Sequence, residues 1–550
     1  MHPQATYELW KQYEDLDQDL KKELLSLTDD EIKERFTYPL EFGTGGLRDK
    51  MGVGISRLNI YTIAQAAKGF SMYLKKQFGT GSVVISYDNR MHSKTFAIES
   101  AKVMIHDGFD VHVFESLRPT PMLSYAVRHF KAVGGIMITA SHNPKEDNGF
   151  KAYNHTGAQI NLIEADAVIA EIKSITDIFG IPKGQASQID WIHEDFDSIY
   201  LDDIASIRLH KDLFPTTISY SPLHGTGSTV IPRILRSHGF HVHEEINESV
   251  PDPLFTYTAS SNPEQQKAFI NGLALAKKTD SDVLFITDPD ADRLGVAVKH
   301  QGTYELLTGN QTAALELFYI LNERSQLGTL PKDGQVYTTI VTSDLIKNIA
   351  NSYHLNVIET LTGFKFIGEQ AELHTAPYVF GCEESYGSLI SDKVRDKDAV
   401  QACLMLSEMV GYYKKQTLTL IDVLNQIYET YGYYVEITDN FFFEGIQGKE
   451  TMKQLLDDLR IKPLEMPHLS LIDTRDYATG QGMKDGHAFA LDLPRSNVLE
   501  YRYQEGFIIL RPSGTEPKLK VYYGFHGNKQ EEVTQLVSMS QSILKSVLKG

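Results

Sequence analysis

Three stretches of the chain share a pattern in which a β-branched apolar strand leads through helix-like sequence into a second strand. The first and second strands of these stretches fall at 83–90 and 108–116, 216–225 and 239–247, and 336–345 and 354–361. The first two stretches also share Ile-Ser-Tyr and Gly-Phe-x-Val-His. For any one pair of stretches, chance similarity between common βαβ sequences is as good an explanation as a relationship between the domains. Three alternations in order favour three related α/β domains.

The two ends of the chain follow other patterns. The first forty residues read as helices, with Thr28 and Glu31 spaced as a capping box. Residues 506–525 read as two strands around a Ser-Gly-Thr-Glu-Pro loop, and 531–548 read as a helix. The predicted fold is therefore α/β, with three related α/β domains containing mixed sheets and a C-terminal α+β domain. The predicted domains span 1–208, 209–304, 305–436 and 437–550.

Composition excludes two classes of partner. The 550 residues include 53 Lys and Arg against 72 Asp and Glu, a net charge of −19. Such a surface repels nucleic acid and anionic lipid, so we expect neither as a partner. The polar, acidic N-terminus does not resemble a signal peptide, and no run of 18 apolar residues occurs. With two cysteines, Cys382 and Cys403, these features predict a cytoplasmic protein.

The first segment whose side chains could take part in a reaction follows the apolar strand at 136–138. Its sequence is Thr-Ala-Ser-His-Asn-Pro. The strand would hold the hydroxyl of Ser141 at its end. A serine there can serve as a nucleophile or a phosphate carrier. Lys151 follows an Asn148-Gly149 pair, which we interpret as a turn that folds the lysine back. The alternative is a serine that only hydrogen-bonds its own turn. There is no Gly-x-Ser-x-Gly elbow to indicate a serine hydrolase.

The second segment places Asp288, Asp290 and Asp292 directly after a predicted strand. Three carboxylates so close repel one another unless a hard cation neutralises them, and oxygen ligands favour Mg²⁺ or Mn²⁺. An EF-hand is excluded because Arg293 and Lys299 occupy the positions of its glycine and glutamate. A phosphotransferase with an aspartate nucleophile, as in the haloacid dehalogenases, remains an alternative.

Two further segments carry clustered polar groups. Glu383, Glu384 and Ser385 lie between two glycines, and their side chains could form hydrogen bonds with sugar hydroxyls. The alternative is a charged loop without a binding role, which would have the same composition. In the other segment, Arg511 begins a run of hydrogen-bond donors that would form an anion-binding nest. Its other members are Ser513, Gly514, Thr515 and Lys518. The alternative is a hairpin turn whose polar residues bind no ligand.

Together the four segments, in this order, resemble the α-D-phosphohexomutase family. The motifs are Thr-Ala-Ser-His-Asn-Pro, Asp-Pro-Asp-Ala-Asp-Arg, Gly-Cys-Glu-Glu-Ser-Tyr-Gly and Arg-Pro-Ser-Gly-Thr-Glu-Pro, and the match runs from Arg48 to Tyr522. Pro289 departs from the glycine usual in the metal loop but leaves the three aspartates in place. The Phe-Gly-Thr-Gly-Gly-Leu-Arg segment is most similar to the longer phosphoglucomutase branch, which includes phosphopentomutases.

The resemblance implies four domains around a central cleft and a role for each matching residue. Ser141 would carry the phosphoryl group, Lys397 would be the candidate base, and Arg48 and Lys151 would line the same site. The metal ligands would be Ser141, Asp288, Asp290 and Asp292. Phosphoryl contacts would come from His142 and Arg293, sugar contacts from Thr362, Gly363, Lys365, Glu383 and Ser385, and phosphate contacts from Arg511, Ser513, Gly514 and Thr515.

The activity that follows from the resemblance is that of an α-phosphoglucomutase, an isomerase of carbohydrate metabolism. Phosphorylated Ser141 would convert glucose 1-phosphate into glucose 6-phosphate through a glucose 1,6-bisphosphate intermediate, with Mg²⁺ as the cofactor. The expected partners are small sugar phosphates. Alternatives within the family are a phosphopentomutase and a hexose-bisphosphate synthase. Outside it are an Asp-nucleophile phosphatase and a sugar-phosphate-binding regulator without turnover.

Overall fold

The computed structural model describes residues 2–43, 46–210, 215–443, 445–513 and 518–549. The chain forms two compact units, and it passes between them several times. The first unit comprises Met1–Thr308, Phe364–Tyr378 and Ser385–Thr417. The second comprises Gly309–Gly363, Val379–Glu384 and Leu418–Gly550.

Helices and strands are interspersed along most of the described chain. The α-helices are α1 Pro3–Gln12, α2 Gln18–Ser26, α3 Asp29–Thr37, α4 Ile60–Phe78, α5 Ser93–His106, α6 Thr120–His129, α7 Leu162–Ser174, α8 Asp195–Ile204, α9 Ile231–Ser237, α10 Ile270–Thr279, α11 Gly309–Gln326, α12 Asp344–Ser352, α13 Phe364–Leu373, α14 Ala399–Lys414, α15 Leu420–Tyr431, α16 Gly445–Ile461 and α17 Gln530–Lys549. The strands are β1 Gly46–Lys50, β2 Ser82–Tyr87, β3 Asp110–Phe114, β4 Gly134–Ile138, β5 Asp147–Asn154, β6 Asp190–Ile192, β7 Thr217–Ser221, β8 His241–Glu244, β9 Val283–Thr287, β10 Leu294–His300, β11 Thr303–Leu307, β12 Gln335–Thr339, β13 Asn356–Thr360, β14 Tyr378–Glu383, β15 Gly387–Leu389, β16 Tyr433–Phe442, β17 Leu471–Asp476, β18 Gln481–Lys484, β19 His487–Ala490, β20 Leu499–Tyr503, β21 Gly506–Pro512 and β22 Lys518–Gly527.

The first sheet of unit 1 has the strand order β1-β5-β4-β2-β3-β6. Its centre is parallel, with β2 between β3 and β4, and Val83, Val84 and Ile85 are fully buried. Burial on both faces explains why β2 is a continuous apolar run rather than an alternating one. The N-terminal helices are also confirmed, and the Thr28–Glu31 capping box begins α3.

The second sheet of unit 1 has the order β11-β10-β9-β7-β8. Strand β7 lies parallel to both β8 and β9, whereas β10 runs antiparallel to β9. The β9–β10 pair closes at Thr287 opposite Leu294, so the aspartate-rich segment forms the connection of a hairpin whose strands are buried.

Unit 2 contains the third predicted strand–helix–strand stretch and the C-terminal sheet. Strand β12 runs parallel to β13, and α12 lies between them in sequence. The C-terminal sheet has the order β16-β22-β21-β20-β17-β18-β19, and each neighbouring pair of these strands is antiparallel. As predicted, β21 and β22 form a hairpin and α17 follows them. The α/β fold class with mixed sheets is confirmed; the four domain boundaries and the central cleft stay predictions.

One local prediction was wrong. The Asn148-Gly149 pair is not a turn but part of β5, where Gly149 lies opposite Arg48 on β1. The glycine is needed for close strand contact, because a Cβ added there would lie 2.3 Å from the carbonyl oxygen of Thr139. Lys151 is therefore positioned by a rigid strand. Among the residues described, no helix has the length and apolar character that a membrane crossing requires.

Candidate active site

The hydroxyl of Ser141 is the reactive group placed most firmly by the structure. Ser141 follows β4 in unit 1, is 3% exposed and has a left-handed backbone with φ of 51°. Its Oγ donates a hydrogen bond to Asp288 Oδ2 at 2.7 Å and lies 3.3 Å from His142 Nδ1. A hydroxyl that is buried and held by a carboxylate is suited to accept a phosphoryl group.

Asp288, Asp290 and Asp292 lie together in the β9–β10 connection, as predicted. All three are buried, and one carboxylate oxygen from each lies within 4.8 Å of the others. Ala291 has a φ of 52°, and this left-handed residue turns the backbone between Asp290 and Asp292. The pairing of β9 with β10 on either side of this turn therefore brings the carboxylates of the three aspartates close together.

Two lysines supply positive charge to these acids. Lys151 Nζ lies 2.7 Å from Asp290 Oδ2 and 3.6 Å from Asp292 Oδ2, and Lys397 Nζ lies 3.2 Å from Asp292 Oδ2. Burial lowers the pKa of Lys151, but the attraction of Asp290 and Asp292 outweighs it and leaves that pKa raised. The two lysines therefore act as counter-ions for the aspartates.

The pKa values of the first two aspartates move in opposite directions. Burial, together with Asp292 and Asp290, raises the pKa of Asp288. Burial also raises the pKa of Asp290, but the attraction and hydrogen bond of Lys151, together with hydrogen bonds from Thr120 and Asp288, outweigh it and the net shift is downward. The repulsion among the three carboxylates is therefore relieved unevenly, because the positive charge of Lys151 lies closest to Asp290.

The cluster fits a hard divalent cation. Asp290 Oδ1 and Asp292 Oδ1 are buried and accept no hydrogen bond from the part of the chain that the structure describes. Buried carboxylate oxygens without donors are costly unless something else satisfies them. Oxygen-only ligands suit Mg²⁺ or Mn²⁺ better than Zn²⁺.

Other predicted residues of unit 1 lie in varied surroundings. Arg48 is exposed, and its Nη1 donates to Asn143 Oδ1 at 3.2 Å. Arg293 forms an ion pair with Glu264 at 2.5 Å. Lys365 is buried, with its Nζ 4.8 Å from the centre of the Phe366 ring. Ser385 is half-buried.

The remaining predicted residues belong to unit 2. Glu383 is buried at the end of β14, and Gly363 has a φ of 119°. Thr362 Oγ1 is buried without a hydrogen-bond partner among the described residues. Arg511 lies on β21, and the Ser513 N–H donates to the Lys518 carbonyl at 2.7 Å. Gly514 and Thr515 lie outside the described residues. The roles proposed for all these residues stay predictions.

Sequence reasoning missed several groups that support the site. Thr120 Oγ1 donates to Asp290 Oδ2 at 2.8 Å, and nothing in its sequence context indicates this. Tyr153 Oη donates to Asp396 Oδ2 at 2.7 Å, and Asp396 Oδ1 lies 3.5 Å from Lys397 Nζ. Tyr153 could have been found, because it lies two residues after Lys151 on the same face of β5. Asp88, Arg90 and Thr139 were missed as well.

Comparison with known families gives a consistent result. Four phosphoglucomutase/phosphomannomutase domains match the chain in order. Alpha/beta/alpha domains I, II and III match residues 39–178, 198–302 and 308–431, and the C-terminal domain matches 473–539.

Individual relatives agree. A phosphoglucomutase of Staphylococcus aureus (strain MRSA252) is 36% identical over 523 residues, which is 93% of this chain and 94% of the relative. The open form of parafusin, a phosphoglucomutase of Paramecium, superposes with a TM-score of 0.68 at 17% identity, covering 93% of this chain and 96% of that one. An Aspergillus fumigatus N-acetylphosphoglucosamine mutase in complex with glucose 1,6-bisphosphate gives 0.50 at 13% identity, with 93% and 96% covered.

The fold and these comparisons define an enzyme of the isomerase class, a mutase. The chain belongs to the phosphoglucomutase/phosphomannomutase family.

The lysine–aspartate pairing predicts the effect of Lys151→Met in buffer without divalent cations. We expect a loss of about 3–5 kcal/mol in the free energy of unfolding, because the change leaves a buried carboxylate without its counter-ion. Lys151 lowers the pKa of Asp290, so its contribution is complete above pH ~3.9, the ordinary aspartate pKa, and shrinks as the pH falls below it. Urea unfolding at several pH values measures this. The control is Lys145→Met, since Lys145 is exposed. Equal losses in the two variants would contradict the prediction.

Proposed function

We propose that this enzyme interconverts glucose 1-phosphate and glucose 6-phosphate through phosphorylated Ser141 and a glucose 1,6-bisphosphate intermediate. The observation that carries the proposal is the Ser141 hydroxyl, buried 2.7 Å from Asp288 Oδ2 beside two further aspartates. A phosphate-carrying serine needs a nearby cation site, because charge builds up on the phosphoryl oxygens during transfer. Relatives named phosphoglucomutase, at 36% and 35% identity over more than nine-tenths of this chain, support glucose as the sugar.

The proposed cation is Mg²⁺, held by Ser141, Asp288, Asp290 and Asp292. When bound, it would supply Lewis-acid stabilisation of the phosphoryl oxygens. The carboxylates that would hold it are already gathered by the β9–β10 connection, and Asp290 Oδ1 and Asp292 Oδ1 have no donor among the described residues. Thr120 and Lys151 hold the other oxygen of Asp290.

The chemical step transfers one phosphoryl group between two oxygens. The bond from Ser141 Oγ to phosphorus breaks, a bond from phosphorus to a free sugar hydroxyl oxygen forms, and the proton of that hydroxyl passes to the departing serine oxygen. The bisphosphate then turns around, the bond between its other phosphoryl group and the sugar oxygen breaks, that group bonds to Ser141 Oγ, and the serine proton passes to the freed sugar oxygen. Lys151 and Lys397 contribute positive charge near the reacting serine through their contacts with the aspartates.

The remaining residues are proposed to bind the substrate. Lys397 is the candidate acid or base, assisted by Arg48 and Lys151. His142 and Arg293 would contact the transferring phosphoryl group, which requires Arg293 to leave Glu264. Sugar hydroxyls would be bound by Thr362, Gly363, Lys365, Glu383 and Ser385, and the other phosphate by Arg511, Ser513, Gly514 and Thr515. The glucose 1,6-bisphosphate bound by the Aspergillus mutase supports this ligand class.

The test of the nucleophile is the conversion of glucose 1-phosphate into glucose 6-phosphate, measured by coupled oxidation of the product with Mg²⁺ and a trace of glucose 1,6-bisphosphate. We expect the native enzyme to be active and Ser141→Ala to lose at least about 10³-fold in kcat, since the phosphoryl acceptor is removed. Ser100→Ala is the matched control, because Ser100 is buried and its hydroxyl bonds, among the described residues, only to the Phe96 carbonyl.

Two outcomes would count against this proposal. An active Ser141→Ala enzyme would exclude the serine as carrier. A native enzyme that is inactive on glucose 1-phosphate but active on ribose 1-phosphate would favour the phosphopentomutase alternative.

The metal site predicts that Asp292→Asn weakens binding of Mn²⁺, used as a spectroscopic substitute for Mg²⁺, by about 10-fold or more. Electron paramagnetic resonance titration of free Mn²⁺ measures the affinity without substrate. Asp280→Asn is the control, because the Asp280 side chain is 81% exposed and outside the cluster. Unchanged Mn²⁺ affinity in Asp292→Asn would place the cation elsewhere.

A further inference from the structure

The backbone of Ser141 is held on both sides by hydrogen bonds that lead back to one buried carboxylate, that of Asp88. Asp88 is 2% exposed and directly follows β2, next to β4 in the first sheet. Thr139 Oγ1 donates to Asp88 Oδ2 at 2.6 Å and accepts the Ser141 N–H at 2.8 Å. Because an ionised carboxylate only accepts, the threonine hydroxyl must donate to Asp88 and is left to accept from Ser141.

On the other side of the serine, Arg90 gathers the carbonyls of the loop. Its Nη2 donates to the carbonyls of Ser141 and Asn143, both at 2.6 Å. Its Nη1 donates to those of Pro144 at 2.7 Å and Asp147 at 3.0 Å.

Arg90 is itself fixed by Asp88. The arginine is 3% exposed, and its backbone N–H donates to Asp88 Oδ1 at 2.9 Å. Its Nε lies 3.3 Å from Asp88 Oδ2. The planar guanidinium therefore connects one carboxylate to four loop carbonyls, a geometry that the single ammonium of lysine cannot reproduce.

These contacts matter because the conformation of Ser141 is unfavourable. Its φ of 51° lies in the left-handed region, where a side chain with a Cβ is disfavoured and persists only when its surroundings enforce it. The N–H and C=O of the serine are the two groups that set this conformation, and Thr139 and Arg90 each hold one of them. The direction of Oγ toward Asp288 depends on the same backbone angles.

We propose that Asp88, Arg90 and Thr139 are positioning residues that keep Ser141 in its left-handed conformation and its Oγ aimed at the aspartate cluster. The inference rests on the proposed function only for its effect on catalysis. In a mutase the same oxygen gives and receives the phosphoryl group, so a misplaced serine slows both transfers. A displacement of about 1 Å of a reacting group costs on the order of a hundredfold in rate.

The experiment compares Thr139→Val, which loses the hydroxyl at nearly the same size, with Thr139→Ser, which keeps it. Two quantities are measured on the full chain: amide hydrogen exchange of the 140–147 segment without ligand, and kcat and KM for glucose 1-phosphate. We expect Thr139→Val to exchange about tenfold faster or more and to lose about a hundredfold in kcat, with KM within about twofold. Thr139→Ser should restore both quantities to within about threefold of native.

Arg90→Lys should behave as Thr139→Val does. Its control is Arg118→Lys, because Arg118 is a buried arginine of the same unit, paired with Asp197 at 2.7 Å. Its other side-chain hydrogen bonds among the described residues go to the Ser116 hydroxyl and the Leu117 carbonyl. A general effect of replacing a buried guanidinium by an ammonium group would appear in both arginine variants equally. A positioning role requires faster exchange in 140–147 and lower kcat in Arg90→Lys alone.

Three results would overturn the proposal: native exchange of 140–147 in Thr139→Val, faster exchange with an unchanged kcat in an active enzyme, or equal effects in Thr139→Ser and Thr139→Val. If the native enzyme does not act on glucose 1-phosphate, the proposed function fails. The exchange comparison then decides the positioning role alone, since it needs no substrate.

Discussion

The burial of three aspartates at one point is the constraint on which the site depends. Carboxylates whose oxygens lie within 4.8 Å of one another, away from water, cannot all stay ionised without compensating charge. The protein supplies that charge from distant parts of unit 1: Lys151 from β5 and Lys397 from the segment before α14. Ser141 completes the arrangement, because its hydroxyl donates a hydrogen bond to Asp288.

The elements around the aspartates fix the positions of their side chains by strand pairing, burial and hydrogen bonds. The aspartates sit in a hairpin connection between buried strands, and Lys151 is on a strand that Gly149 allows to pack closely. Ser141 lies in a strained backbone conformation, in which its N–H donates to Thr139 and its carbonyl accepts from Arg90. An overall charge of −19 gives no hint of this local balance, in which two lysines are concentrated beside the buried aspartates.

Much of this could be predicted from the sequence, because the fold pattern and the motifs are local. The strand–helix–strand stretches and the aspartates at alternate positions after a strand needed no knowledge of long-range contacts. The supporting residues did need it: Thr120 lies 170 positions from Asp290, and Tyr153 lies 243 positions from Asp396. The Asn148-Gly149 error has a similar origin, since the composition is typical of turns but the glycine serves close contact between strands.

The most direct test of the account is to locate the phosphate on the enzyme after incubation with glucose 1,6-bisphosphate and Mg²⁺. Intact-mass measurement and peptide mapping at neutral and acidic pH distinguish a stable phosphoserine from a labile acyl phosphate. We predict a single phosphate on Ser141, whose Oγ donates a hydrogen bond to Asp288. A phosphate on Asp288, or a catalytically active enzyme that never becomes phosphorylated at Ser141, would contradict it.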